Sequence, residues 1–268
     1  MSKTILVTGS TDGIGLETAR RLSADGHNVI LHGRNAEKLQ GAATEIGSNG
    51  SGAVPAAYTA DLSSIKDTIT LAKNIASDFS TLDAVINNAG VFGTSKPVTA
   101  DGLDVRFVVN TVAPYALSME LHALLGQPGR IINVSSAAQS PVNLSAMASY
   151  RGMADFEAYA QSKLALTMWT MELGRQRAND DPVYIAVNPG SLLGSKMVKD
   201  AFGVDGGDIG IGADILIRAA LDPDFSDKSG HYFDNDAGKF GDPHPDALNT
   251  QKCTAVVNAV EQIIDASA

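Results

Sequence analysis

The sequence predicts a doubly wound α/β fold, and two observations carry that reading. Short apolar runs at residues 4–7, 28–31, 53–58, 83–86, 130–134 and 183–187 are bounded by turn residues. Stretches with helical spacing of apolar positions, at 14–24, 36–46 and 64–79, lie between them. The runs are continuous in Val, Ile and Leu, which is how parallel strands read when helices cover both faces of a sheet. Right-handed crossovers then leave a central parallel sheet flanked by helices as the economical topology. A chain of 268 residues, 44% of them hydrophobic, is long enough for one such domain with a sizeable core. No internal repeat, low-complexity tract or long linker interrupts it, so residues 1–268 are expected to form a single domain, with the Gly-rich 203–212 and the Pro-bearing 242–245 as loops.

Composition narrows the function. A net charge of −10 and a pI near 4.8 disfavour a nucleic-acid partner, which needs clustered Lys and Arg to displace counterions from phosphate. Cys253 is the only cysteine, so an intramolecular disulfide and a cysteine-based zinc cluster are excluded. The five histidines, His27, His32, His122, His231 and His244, show no H-x-x-x-H spacing, and no metal site is expected. The opening Met1-Ser2-Lys3 leads at once into an apolar run without the basic stretch and cleavage site of a signal peptide. No stretch approaches the ~20 apolar residues of a membrane span. The expected address is the cytoplasm, with no membrane partner.

The elements, taken in order, place chemistry at the carboxyl ends of the strands, where ligands of such sheets bind. The first strand runs into Thr8-Gly9-Ser10-Thr11-Asp12-Gly13-Ile14-Gly15, and the next helix begins near Gly13. Gly9, Gly13 and Gly15 therefore line a strand-to-helix turn in which a side chain would obstruct a ligand, and backbone N–H groups with the helix N-terminus can face a pyrophosphate. Glycine spacing alone also describes a tight turn packed on the sheet; the strand before and the helix after favour dinucleotide binding. Far along the chain, Tyr159 and Lys163 stand at i and i+4, on one face of a helix. A phenol ordinarily titrates near 10 and must be shifted to exchange protons efficiently at neutral pH. An ammonium about 4 Å away contributes about 4 kcal/mol at an effective dielectric near 20, enough to carry Tyr159 toward neutrality. Tyr and Lys at this spacing are also common on solvated helix surfaces, so the pair needs support from the rest of the chain.

That support is a set of motifs in order. Thr8-Gly9-x-x-x-Gly13-Ile14-Gly15, Asn87-Asn88-Ala89-Gly90, Tyr159-x-x-x-Lys163 and Pro189-Gly190 resemble the motifs of the short-chain dehydrogenase/reductase family, and the resemblance spans nearly the whole chain. It implies a single-domain Rossmann fold that binds a dinucleotide through Gly9, Thr11, Asp12, Gly13, Ile14 and Gly15. It also implies that Asp61-Leu62 contacts adenine, although Asp61 could equally cap the helix that follows. Asn88, Ala89 and Gly90 would let backbone approach the cofactor at the end of the fourth strand. After the second strand comes His32-Gly33-Arg34-Asn35, where an acidic residue would serve the adenosine ribose of NAD. Arg34 could instead pair with a 2′-phosphate, which favours NADP(H) over NAD(H).

In the family the serine aligned with Ser136 hydrogen-bonds the substrate oxygen, and adjacent Ser135 cannot share its face of the strand. Asn110, before Pro114, matches a helix asparagine that holds a water linking the lysine to solvent; its other reading is an amide that tolerates a local kink. Pro189 and Gly190 border the nicotinamide, and residues 191–212, with Met197, Val198 and Phe202, are expected to form an apolar substrate lid. The interval from Ser136 to Tyr159 is longer than in many members and contains Tyr150, which has no lysine at i+4. That interval and the late 229–233 segment resemble the retinol dehydrogenase-like branch, and point to a substrate wall or an interface. Leu164, Leu166, Met168, Trp169 and Met171 give the Tyr159 helix more apolar surface than one sheet contact needs, and the family commonly forms dimers or tetramers through it. The alternative is that these residues are buried within one subunit.

The expected function is hydride transfer between NADP(H) and a small carbonyl or alcohol substrate, with Tyr159 as general acid/base, Lys163 tuning it and binding the nicotinamide ribose, and Ser136 and Asn110 in support. A non-catalytic dinucleotide-sensing protein is the alternative; it has no need of Ser136, Tyr159 and Lys163 together, so their joint presence favours catalysis.

Overall fold

The computed structural model describes residues 1–49, 54–178 and 181–267. Ala53, the first residue of the expected third strand, and the Phe202 side chain fall outside what it describes. The strands are β1 (Thr4–Val7), β2 (Asn28–Gly33), β3 (Ala56–Thr59), β4 (Leu82–Asn87), β5 (Leu125–Val134), β6 (Val183–Asn188), β7 (His231–Asp234) and β8 (Lys239–Gly241). The helices are α1 (Gly13–Ala24), α2 (Ala36–Asn49), α3 (Ile65–Asp78), α4 (Val105–Phe107), α5 (Ala113–Glu120), α6 (Leu144–Met147), α7 (Asp155–Gln176), α8 (Lys196–Phe202), α9 (Ile209–Leu221) and α10 (Thr250–Ser267).

One sheet runs in the order β3-β2-β1-β4-β5-β6-β7-β8, so strand order reverses between β1 and β4, which pair in parallel. The doubly wound Rossmann expectation holds. The continuous apolar runs divide their side chains between two faces, as a period of two demands. Leu6, Ile30, Val85 and Ile131 pack under α3, α5, α7 and α10, whereas Ile5, Val7, Leu31 and Ile132 pack under α1, α2 and α9. All strand pairs through β6–β7 are parallel, and β8 adds an antiparallel edge by folding back on β7. Residues 231–233 of the late 229–233 segment, read from sequence as a wall or an interface, lie in this seventh strand.

Asp61 is not the helix cap. Ser64 takes that place, its Oγ accepting from Asp67 N at 3.2 Å, while Asp61 Oδ1 accepts from Ser63 N at 3.0 Å in the turn just before. Between α4 and α5, residues 108–112 form a π-helical turn immediately ahead of Pro114, the local kink that the position of Asn110 allowed.

The apolar surplus on α7 also has an internal explanation. Leu164, Leu166, Met168, Trp169 and Met171 are none of them more than 7% exposed within the single chain. α10 packs on α7 through one stripe, Cys253, Val256, Val260 and Ile263. Thr254 Oγ1 donates to Glu172 Oε1 at 2.9 Å, and Tyr115 on α5 donates to Glu261 Oε1 at 2.7 Å. The Tyr115 and Trp169 rings meet edge to face at 5.4 Å. The apolar side chains that suggested a homo-dimer or homo-tetramer are thus covered by the chain itself.

Candidate active site

The carboxyl ends of β1 and β4 are stitched together at the reversal point. Thr8 Oγ1 accepts from Asn88 N at 3.0 Å and Ala89 N at 3.1 Å, and Asn88 Nδ2 donates to Thr8 O at 2.9 Å and Gly9 O at 3.2 Å. Gly9 has a φ of 65°, and a Cβ there would lie 2.9 Å from Ala89 Cα. The glycines of the loop therefore do a packing job as well as keeping the ligand side clear. Asp12 is the N-cap of α1, its Oδ1 accepting from Gly13 N at 2.7 Å. The Ile14 and Gly15 N–H groups belong to the unpaired first turn, which carries no acidic residue. This donor set suits a pyrophosphate.

His32 links the loop to the next strands. Its Nδ1 accepts from Gly9 N at 3.3 Å, and its Nε2 lies 3.2 Å from Ala60 O, an arrangement served by the Nε2–H tautomer. Burial pushes its pKa down to about 4. The unfolded chain therefore takes up a proton on His32 near 6.5, before the folded one does, so this stability is present above 6.5 and lost as pH falls toward 4. The unfolding free energy from urea titration should fall across that window, by at most about 3 kcal/mol from this residue. His32→Asn, which keeps an acceptor near the Nδ1 position and cannot titrate, should flatten that part of the profile; an unchanged profile would reject the assignment.

Gly33 lets β2 approach Thr11, and Arg34, next along, is exposed with no hydrogen-bond or ion-pair partner among the described residues. Leu62 has its side chain in the core, so at the expected adenine position only Asp61 and the backbone face outward.

The two serines after β5 separate as the strand period requires. Ser135 turns inward to Thr167 Oγ1 at 2.6 Å, and Ser136, whose Oγ accepts from Ala138 N at 3.1 Å, lies beside the Tyr159 phenol and counteracts the rise in its pKa. Lys163, one turn on from Tyr159, is buried with its Nζ 5.7 Å from the centre of the Tyr159 ring. Here the electrostatic expectation needs correction. Lys163 Nζ donates to Val134 O at 2.7 Å, and burial lowers its pKa to about 8. Burial pushes the Tyr159 phenol above its ordinary value, with Ser136 opposing it. Desolvation, which a pairwise Coulomb estimate leaves out, dominates. The phenol is thereby kept protonated at neutral pH.

Asn110 lies beside this pair. Its Oδ1 accepts from Val91 N at 2.8 Å, and its Nδ2 donates to Val91 O and Ser162 Oγ, each at 2.9 Å. It pins the segment after Gly90, where a Cβ would lie 3.4 Å from Asn110 Oδ1 and 3.6 Å from Lys163 Nζ. Tyr150 stands apart, its N–H on Gly102 O at 3.0 Å.

Three features escaped the sequence reading. Phe92 places its ring 5.0 Å from that of Tyr159 and 6.4 Å from exposed Phe156. Arg106, fully buried, donates from Nε to Asp104 Oδ1 at 2.7 Å and pairs with Asp155 at the start of α7, tying the Tyr159 helix to the segment before α4. The turn between β7 and β8 grips the Pro189-Gly190 turn. Beyond that turn, Gly207 N donates to Leu192 O at 2.8 Å and Gly194 N to Gly207 O at 2.7 Å, closing a neck. α8 lies beyond the neck, with Met197 Cε 3.7 Å from the Cβ position of Gly90.

A strand-order reversal point with an anion-ready helix start, and a serine and a tyrosine beside a buried amine, form an arrangement suited to holding a dinucleotide. The chain belongs to the short-chain dehydrogenase family, whose model, described as short chain dehydrogenase, matches residues 3–203. It is 34% identical to human retinol dehydrogenase 13 over 203 residues, 70% of this chain and 58% of that protein. An uncharacterized oxidoreductase of Emericella nidulans is 31% identical over 268 residues, 97% of this chain and 96% of that protein. A short chain dehydrogenase from Burkholderia cenocepacia, solved in complex with NADP, superposes with a TM-score of 0.69 at 28% identity, covering 87% of this chain and 95% of that one. The likeness extends to retinol dehydrogenases, of whose length the chain spans only 58% for the human retinol dehydrogenase 13 and 64% for the bovine retinol dehydrogenase 12. Among the described residues no helix is long and apolar enough to cross a membrane.

Proposed function

We propose that this enzyme exchanges a hydride between NADP(H) and a small carbonyl or alcohol compound, with Tyr159 as the general acid/base. The observation that carries the reading is the buried Lys163 amine held 5.7 Å from the centre of the Tyr159 ring at the carboxyl end of β5, with Ser136 beside the phenol. Bound NADPH supplies the hydride. Ser136 holds the carbonyl oxygen, and Tyr159 gives that oxygen its proton, so that one hydride and one proton convert C=O to CH–OH. Lys163 holds the nicotinamide ribose and stabilises the phenolate left behind, which needs its ammonium released from Val134 O toward Tyr159. A solvent proton then returns to Tyr159 by way of Lys163 and Asn110. Alcohol oxidation reverses each step. Gly9, Thr11, Gly13, Ile14 and Gly15 hold the pyrophosphate, with Asp12 setting the helix start; Asp61 and the Leu62 backbone border the adenine. Asn88, Ala89 and Gly90 border the ribose, and Pro189 and Gly190 the nicotinamide.

Residues 191–212 act as the lid that excludes water. Phe92, Phe156 and Met197 near Tyr159 and Gly90 favour a lipophilic substrate. A reducing compartment, the cytoplasm, suits the single, buried thiol of Cys253.

NADP(H) rather than NAD(H) rests on Arg34, exposed beside the loop with no carboxylate between Leu31 and Asn35 to compete for it. Arg34→Ala should raise the KM for NADPH by roughly tenfold to a hundredfold, the worth of charge-assisted hydrogen bonds to a phosphate. The KM for NADH should be unaffected. Steady-state rates with both cofactors over a panel of lipophilic aldehydes and ketones test the whole reading. Equal losses with the two cofactors would reject the 2′-phosphate contact, and cofactor binding without turnover of any substrate would leave a dinucleotide sensor.

A further inference from the structure

We infer that Asp236, in the turn joining β7 to β8, is a positioning residue for the proposed reaction, acting through the 188–191 turn that borders the nicotinamide; the inference rests on that reading of the cleft. β6 ends at Asn188, whose side chain is buried and whose two Nδ2 hydrogens go to Asp234 Oδ1 and Asp236 Oδ2, each at 2.9 Å. The Asp236 carboxylate also reaches the far end of the turn. Its Oδ1 accepts from Ser191 N at 2.8 Å and its Oδ2 from Ser191 Oγ at 2.5 Å. Asn235 adds two bonds, its N–H to Asn188 O at 3.1 Å and its Nδ2 to Pro189 O at 2.9 Å. Positions 188, 189 and 191 are therefore all held from one hairpin, and Asp236 is the group that spans both ends.

Gly190, the position between them, has a φ of 125°, a backbone state that only glycine adopts freely. Fixing its neighbours fixes how the turn is presented to the cleft. Although partial burial disfavours the charge, the bonds from Ser191 and Asn188 outweigh it and hold the Asp236 carboxyl below its usual range, so the acceptor stays ionised at neutral pH. Charge-assisted bonds of this kind are about twice as strong as neutral ones.

The sheet does not depend on Asp236. The β6–β7 register runs from Ile185 opposite His231 to Asn188 opposite Asp234, and Asp236 lies beyond the last pair, at the exposed tip of the hairpin. Its loss would release the Ser191 end of the turn, and with it the stem of the lid at Leu192, a non-glycine residue held at a φ of 50°. The predicted defect is therefore one of placement: hydride transfer slows while the remote adenosine half of the cofactor binds as before.

The test uses the whole enzyme and compares wild type with Asp236→Ala, Asp236→Asn and Ser191→Ala, reading three quantities for each. These are kcat with NADPH and a turned-over carbonyl substrate, the primary deuterium isotope effect on kcat with nicotinamide-4-deuterated NADPH, and the inhibition constant of adenosine 2′,5′-bisphosphate. For Asp236→Ala kcat should fall roughly tenfold to a hundredfold, the scale of an ångström-sized misplacement. Its isotope effect should rise because hydride transfer has become limiting, and its inhibition constant should stay within about twofold. Asp236→Asn, which keeps an acceptor oxygen, and Ser191→Ala should fall between it and wild type, and they decide the matter if the alanine variant does not fold. Unchanged kcat and isotope effect in folded variants would overturn the inference. So would a loss of kcat matched by equal losses in Tm and bisphosphate affinity, which marks a merely structural role. Failure of the underlying reading is separate, since the wild type itself would then turn over no carbonyl compound.

Discussion

Tyr159→Phe should lower kcat for carbonyl reduction by about 10²–10⁴-fold, the range supplied by a positioned general acid. The substitution keeps the ring that packs 5.0 Å from Phe92 and removes only the hydroxyl, so the helix and the core under it should be unchanged. NADPH affinity should change by less than about tenfold, because at most one neutral hydrogen bond is lost. The geometry makes the size of the kcat effect intelligible. Burial keeps the phenol protonated, so a proton is always present to give, and the difficulty lies in stabilising the phenolate once the proton has gone. Lys163 is a buried cation 5.7 Å from the centre of the ring, and its amine rests on Val134 O, within reach of that task. Turnover in Tyr159→Phe within about tenfold of wild type would remove Tyr159 from the chemistry.

Gly15→Ala should nearly abolish cofactor binding while leaving a folded protein. A Cβ on Gly15 would collide with Asn88 Nδ2 and Gly9 O, the two groups that join in a hydrogen bond of 3.2 Å between the β1 and β4 ends. Overpacking of this kind costs roughly 1–3 kcal/mol, or a fall in Tm of roughly 2–10 °C for a domain of this size. The loop must move away from Asn88 to relieve the clash, and its N–H groups move with it. NADPH affinity should fall by about a hundredfold or more. Gly41→Ala is the matching control: it sits on α2 with no heavy atom within 4 Å of a Cβ, so the change should stabilise by up to about 1 kcal/mol through helix propensity. Calorimetry with NADPH titration reads both. Full cofactor affinity in Gly15→Ala would show that the loop tolerates the displacement and that the close packing is incidental.

What could be read from the sequence follows from how local the signal is. β1, β2 and β4 to β6 were legible because strands buried on both faces have little room for polar residues. β7 and β8 were not, since His231-Tyr232-Phe233-Asp234 and Lys239-Phe240-Gly241 are short edge segments whose pairing is set by the turn between them. The two-residue period says only that one of Ser135 and Ser136 can face the site, and the family resemblance is what points to Ser136; Ser135 turns inward to Thr167. By contrast, Asp61 and Ser64 both suit a helix cap, and only the fold decides which donors each one meets. Cation placement was misjudged because sequence spacing fixes the helix face of Lys163 but not Val134 O, which arrives from the end of β5 and accepts from the amine. For the same reason α7 looked like an interface: its apolar residues announce a partner, and nothing in them says that the partner is α10 of the same chain.

The most direct measurement of the central claim is single-turnover transfer from nicotinamide-4-deuterated NADPH to a lipophilic ketone, with the product alcohol examined by mass spectrometry. Wild type should place one deuterium on the carbinol carbon, from one face of the nicotinamide only, and Tyr159→Phe, with cofactor bound, should do so slower by the factor seen in kcat. Unlabelled alcohol from both the 4R- and the 4S-deuterated cofactor, or equal single-turnover rates in the two proteins, would contradict hydride transfer coupled to a proton from Tyr159.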